Sequence, residues 1–237
     1  MSKISDAVTA LRNGKFVLIH DDTNREDEVD LVASSEKITP KHISIMRKDA
    51  GGLICTAITK EQSIRLGLPF MHDILRIFGN TNRSISLINK NTSPYGDKPS
   101  FSITINHVNT YTGITDADRA LTISSLANIC KELDEEGDKR NEKIIENFQN
   151  NFRAPGHVHI LIASKGLLNE RKGHTEMSIF LTKIANVTNT ATICEMLDPN
   201  NYRSLSYIDA CKYAKENNLV IIEAKDLIAY AKSHDNK

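Results

Sequence analysis

Short apolar runs of strand length alternate along this chain with segments whose apolar residues recur every three to four positions. No repeat and no Pro/Gly-rich linker interrupts the alternation. That pattern restricts the fold to a sheet with helices packed against it, because each element must bury its apolar face on another. Phe16 to His20, Leu31 to Ser34, Leu53 to Ile58, Phe101 to His107, Val158 to Ala163, Thr190 to Met196 and Val220 to Glu223 read as strands. The run at 101–107 alternates apolar and polar while the run at 53–58 does not, so the sheet is expected to be mixed.

Helices are expected between these runs. Ile4, Ala7, Val8 and Leu11 line one helical face, with Ser2 as cap and Gly14 as stop. Residues 41–49 follow the starter pair Thr39-Pro40, and Thr59 caps a short helix ending at Gly67. Thr115 opens a longer helix, and further helices fall at 175–186, with Thr175 as N-cap, at 206–217 and at 225–233. Residues 79–99 lack periodicity and read as an exposed loop; 131–150 are charged and assign to neither class; 153–157 read as a turn. The expected fold is α/β (α+β by some schemes): a three-layer sandwich, a mixed twisted sheet flanked by helices, in one domain over 1–237.

Composition enters as exclusion. The 30 basic and 30 acidic residues balance, which argues against a broadly basic nucleic-acid binder and a polybasic membrane protein. The four cysteines form no CxxC pair, so a disulfide framework or paired-cysteine zinc site is not expected. No signal peptide and no apolar run of membrane-spanning length is found, so the expected location is the cytoplasm.

Chemistry concentrates in two windows. Between Asp21 and Asp30, the six carboxylates Asp21, Asp22, Glu26, Asp27, Glu28 and Asp30 face a single cation, Arg25, for a local charge of −5. Such a window is often only a solvated loop. This one follows a strand, where α/β proteins place ligands, and ends in another strand, which limits its excursion into water. Clustered carboxylates invite a divalent cation or a proton-transfer role. The second window, Arg171-Lys172-Gly173-His174-Thr175-Glu176, leads into a helix and reads either as a plain capped helix end or as a basic N-terminus suited to phosphate. His157 and His159 fall on one strand face, and Glu195 is a carboxylate within an apolar strand, costly unless paired or used. Cys55 and Cys194 read as buried thiols. The residues alone thus describe a metal-assisted site for a small phosphorylated substrate, without naming the reaction.

DDTNREDEVDLV (21–32), RKDAGGLICTA (47–57), YTGITDADRALTI (111–123), RAPGHVHIL (153–161), RKGHTEM (171–177) and TICEML (192–197) occur in the order found in one family. Together they resemble the 3,4-dihydroxy-2-butanone 4-phosphate synthases, in the monofunctional, archaeal-type form, over nearly the whole chain. That resemblance implies a lyase of riboflavin biosynthesis converting D-ribulose 5-phosphate to L-3,4-dihydroxy-2-butanone 4-phosphate and formate. It implies Mg²⁺, with Mn²⁺ as an alternative, and a homodimer with sites near the subunit interface. Glu26 and His174 resemble the family's metal ligands. Arg25, Glu26, Asp30, Glu195 and the run Arg171, Lys172, Gly173, His174, Thr175 resemble its substrate contacts. His157 and Glu195 match positions essential to catalysis. Asp30, Glu28 and Cys55 are expected to be catalytic as well, Asp30 as an alternative to Glu195 for removing the C3 proton, Glu28 and Cys55 from motifs that line the pocket. The 79–99 loop is long for many bacterial members and 131–150 fits poorly, neither departure touching the motif residues. No fused GTP cyclohydrolase partner is expected. Another metal-dependent sugar-phosphate isomerase or aldolase would share these residues. A nucleotide-binding module would lack the acidic loop.

Overall fold

A seven-stranded sheet in the order β4-β5-β3-β6-β2-β1-β9 forms the centre of the structure, a computed structural model that describes residues 3–137 and 141–234. Its strands are β1 Val17–His20, β2 Val29–Ser34, β3 Cys55–Ile58, β4 Phe101–His107, β5 Phe152–Ile162, β6 Thr190–Glu195 and β9 Val220–Glu223. The small pair β7 Leu197–Asp198 and β8 Arg203–Ser204 stands apart. All pairings are antiparallel except β1–β9 and β3–β5, so the sheet is mixed, as the sequence pattern suggests.

Helices cover both faces. Leu11 of α1 (Lys3–Arg12), Met177 of α8 (His174–Ile184) and Leu227 of α10 (Ala224–His234) pack on the face carrying Val17, Val32 and Ile193. Ile43 of α2 (Pro40–Ile45), Ile123 of α6 (Asp116–Glu136) and Ala210 of α9 (Tyr207–Glu216) pack opposite, on Leu18 and Leu31. Leu18 and Leu31 are register partners and fully buried. Truncating either to Ala would cost about 2–5 kcal/mol. α3 (Lys60–Leu66) starts where expected, Thr59 accepting from the Gln62 amide at 3.1 Å in a capping box, and it stops at left-handed Gly67. No helix among the described residues is long and apolar enough to cross a membrane.

Four expectations are corrected. Within 79–99 a short helix, α5 (Arg83–Ile88), forms after α4 (Met71–Gly79), capped by Asn82; six residues are too few for a legible period. The 131–150 stretch is helical at both ends: α6 runs on to Glu136, and α7 (Glu142–Asn151) buries Ile144 and Phe148 one turn apart. Residues 153–157 lie inside β5, where pairing jumps from Ile105↔Val158 to Asn106↔Arg153, so the expected turn is a bulge. Gly173, not Thr175, caps α8. The expected Ser2 cap lies outside the described residues.

Candidate active site

Strand register brings the acidic residues together. Asp30 of β2 pairs with Glu195 of β6, and Cys55 of β3 pairs with both Ile193 of β6 and His159 of β5, so all point to the face covered by α8. There, beneath the helix N-terminus, lies a cavity of about 190 Å³. Arg25, Glu26, Glu28 and Asp30 line it from the acidic loop and β2, Arg171, His174 and Thr175 from the α8 end, and Glu195 from β6.

The loop after β1 is organised by Asp21. Its buried carboxylate accepts from the Glu28 amide at 3.0 Å, the Glu26 amide at 3.2 Å and Arg25 Nη1 at 3.1 Å. Glu26 Oε2 then meets Arg25 Nη1 at 2.6 Å and His174 Nδ1 at 3.3 Å. Burial alone would raise the Glu26 carboxyl, but hydrogen bonds from His174 and Tyr95 and the Arg25 charge hold it at about 2. His174 responds oppositely: burial favours its neutral form, yet Asp30 and Glu26 raise it to about 9. Asp30 is pushed up to about 7, chiefly by burial, with Glu195 and Glu28 adding like charge.

Glu195 sits at the strand end, half-buried, and accepts from the Leu53 amide at 2.7 Å. A Cβ on Gly52 would overlap that carboxylate, which accounts for a glycine at this position. Glu28 accepts from Ser204 Oγ at 2.7 Å, and burial raises its carboxyl.

Other expected residues lie elsewhere. Cys55 is 1% exposed, its thiol pushed well up by burial, and packs in the sheet without lining the cavity. His157 is exposed, held by Asn106 through the amide at 2.8 Å and the ring at 3.1 Å, and does not line the cavity. Lys172 is exposed and also off the lining. Gly173 is buried where two arginines converge: a Cβ there would overlap the Arg171 guanidinium and come within 3.0 Å of Arg25 Nη2. Two residues of the 79–99 loop join the site unannounced. Tyr95 lines the cavity with its ring 4.7 Å from the Arg25 guanidinium, and Asp97 lies 3.4 Å from Arg171 Nε. Lacking periodicity, that segment offers no signal for either.

The donor set fits a divalent cation. Ligand atoms of Asp21, Glu26 and His174 lie within 4.8 Å of one another. Buried His174 Nε2 and Asp30 Oδ1, 3.8 Å apart, have no hydrogen-bond partner among the described residues. Asp21 is already committed to two loop amides and Arg25, whereas Glu26 is held by side chains only, those of Arg25, Tyr95 and His174, and His174 keeps Nε2 unpartnered.

The family model for 3,4-dihydroxy-2-butanone 4-phosphate synthase matches residues 5–230. The chain belongs to the 3,4-dihydroxy-2-butanone 4-phosphate synthase family. It is 46% identical to the synthase of Methanothermobacter thermautotrophicus, over 95% of this chain and 94% of that one. Its identity to the synthase of Methanosarcina acetivorans is 41%, over 95% and 89%. A solved 3,4-dihydroxy-2-butanone 4-phosphate synthase in complex with two magnesium ions superposes with a TM-score of 0.76, at 27% identity and full coverage of both chains. The mixed seven-stranded sheet flanked by helices is thus the fold of a synthase family with a magnesium-bound member.

Proposed function

We propose that the chain converts D-ribulose 5-phosphate to L-3,4-dihydroxy-2-butanone 4-phosphate and formate in riboflavin biosynthesis, by enolisation, dehydration, rearrangement and loss of C4. The observation that carries this reading is one cavity joining two opposed chemistries: Arg25 and Arg171 at the α8 N-terminus for a phosphate, and Glu26, Asp30 and His174 for proton and cation chemistry. Family membership supports the same assignment.

Arg25, Arg171, Gly173 and Thr175 hold the substrate phosphate, with Lys172 contributing charge from outside the cavity. Asp30, with a carboxyl near 7, is matched to taking the C3 proton and returning it at neutral pH. Glu195, fixed by the Leu53 amide, and Glu28, fixed by Ser204, hold substrate hydroxyls and exchange protons with them. Glu26 and His174 hold Mg²⁺, with Mn²⁺ equally suited to a set containing imidazole. When bound, that cation supplies positive charge against oxyanions developing on the substrate. Cys55 packs the floor behind these groups.

One domain carries the site, acting in the cytoplasm as a homodimer. Exposed His157 then reaches the cavity of a second copy, which reconciles its expected catalytic role with its place off the lining. The test is incubation with ribulose 5-phosphate and Mg²⁺: one formate should appear per butanone phosphate, and chelation should stop it. Ribulose 5-phosphate consumed without formate would point to an isomerase or aldolase instead.

A further inference from the structure

The segment preceding β4 ends in a closed turn. Ser93 donates to the Asp97 carbonyl from both its amide, at 3.3 Å, and its hydroxyl, at 2.6 Å. The Gly96 amide donates back to the Ser93 carbonyl at 2.9 Å, and Gly96 takes a left-handed φ of +89°. This turn presents Tyr95 and Asp97 to the two arginines of the cavity. Asp97 Oδ2 lies 3.5 Å from Arg25 Nη2 and 3.4 Å from Arg171 Nε. Both separations are ion pairs rather than hydrogen bonds, and both nitrogens, though buried, lack a hydrogen-bond partner among the described residues. A carboxylate is therefore parked on a guanidinium fork without satisfying it.

We propose that Asp97 is a specificity-determining residue, a built-in competitor that yields the Arg25–Arg171 fork to a phosphate dianion but not to a carboxylate monoanion. This rests on the reading that the fork receives the phosphate of the sugar substrate. A phosphate monoester carries about −1.5 to −2 charge and three acceptor oxygens, enough to make the short charge-assisted bonds that Asp97 leaves unmade. A monoanion offers the arginines no more than Asp97 already gives. Asp97 is 39% exposed, so water receives its carboxylate when it is displaced. The loop thus sorts sugar phosphates from sugar acids before any chemistry occurs.

The test is calorimetric titration of inorganic phosphate and of acetate into the full chain in magnesium-containing buffer, with phosphate also tried as an inhibitor of ribulose 5-phosphate turnover. In Asp97→Asn the phosphate dissociation constant should fall about three- to tenfold, the size expected of two partly exposed ion pairs, and acetate should begin to bind. Asp97→Ser should behave alike, since the turn is closed through the backbone carbonyl. Unchanged or weaker phosphate binding in both variants, with phosphate competitive against ribulose 5-phosphate in the wild type, overturns the role of Asp97 alone. Phosphate that does not compete in the wild type removes the fork as the phosphate site, and the reading beneath it fails as well.

Discussion

His174 sits between two carboxylates, Glu26 at 3.3 Å and Asp30 at 3.8 Å, and is 5% exposed. Burial disfavours its charge, but those neighbours win and hold the proton to about pH 9. A cation that takes a ring nitrogen must displace that proton. Below pH 9 the proton competes with the metal, so Mg²⁺ affinity should rise with pH by up to about tenfold per unit and level off above 9. Glu26, held at about 2, is ionised throughout and adds no pH dependence, whereas Asp30, raised to about 7 and 3.8 Å from His174, adds its own proton release below about pH 8. Titrations in buffers of different ionisation enthalpy near pH 8, where Asp30 is mostly ionised and His174 still protonated, should show about one proton released per Mg²⁺ bound. Heat independent of the buffer would remove His174 from the ligand set. The signal in the sequence was the pairing of an acidic loop with RKGHTE; the titration behaviour was not legible there, because it depends on distances across 148 positions of chain.

Helix α8 is pinned by a residue that no motif role singles out. Glu176, in its first turn, is fully buried and accepts from the Ser164 amide at 2.9 Å and from Arg171 Nη1 at 2.6 Å. Arg171 therefore serves two masters, the cavity and the helix anchor. Arg171→Ala should weaken phosphate binding and also destabilise the fold by about 3–5 kcal/mol, because a buried carboxylate loses its cation. Adding Glu176→Gln should restore most of the stability and none of the phosphate affinity. Denaturant midpoints of the two variants measure this, and a fully stable Arg171→Ala would show that the pair anchors nothing. At this scale strands with two buried faces and capped helices were readable, whereas α5 and α7 were hidden by short length and by charge on the exposed face.

Across the whole molecule, the proposed homodimer makes a quantitative demand. If His157 works in the cavity of a second copy, Glu26→Gln and His157→Ala variants, each inactive, should complement on mixing, since half the dimers are mixed and each keeps one intact cavity. Activity near roughly a quarter of wild type is expected after equal mixing and subunit exchange. No recovery, with mixed dimers demonstrated, would place His157 in its own chain's site or outside catalysis. Exposed Tyr111 and Ile114 lie in the TGI segment, apolar surface of the kind such an interface covers. By itself the sequence determined the layered α/β class, the two charged windows and the family, because apolar periodicity and contiguous motifs are local properties of a chain. Only the tertiary structure decided that Asp30 and Glu195 are neighbours across two strands, that Cys55 packs behind the site, and that Tyr95 and Asp97 cover the arginines. Those facts follow from strand register and loop path, which bring together charges remote in sequence, and it is their separation and burial that set the chemistry.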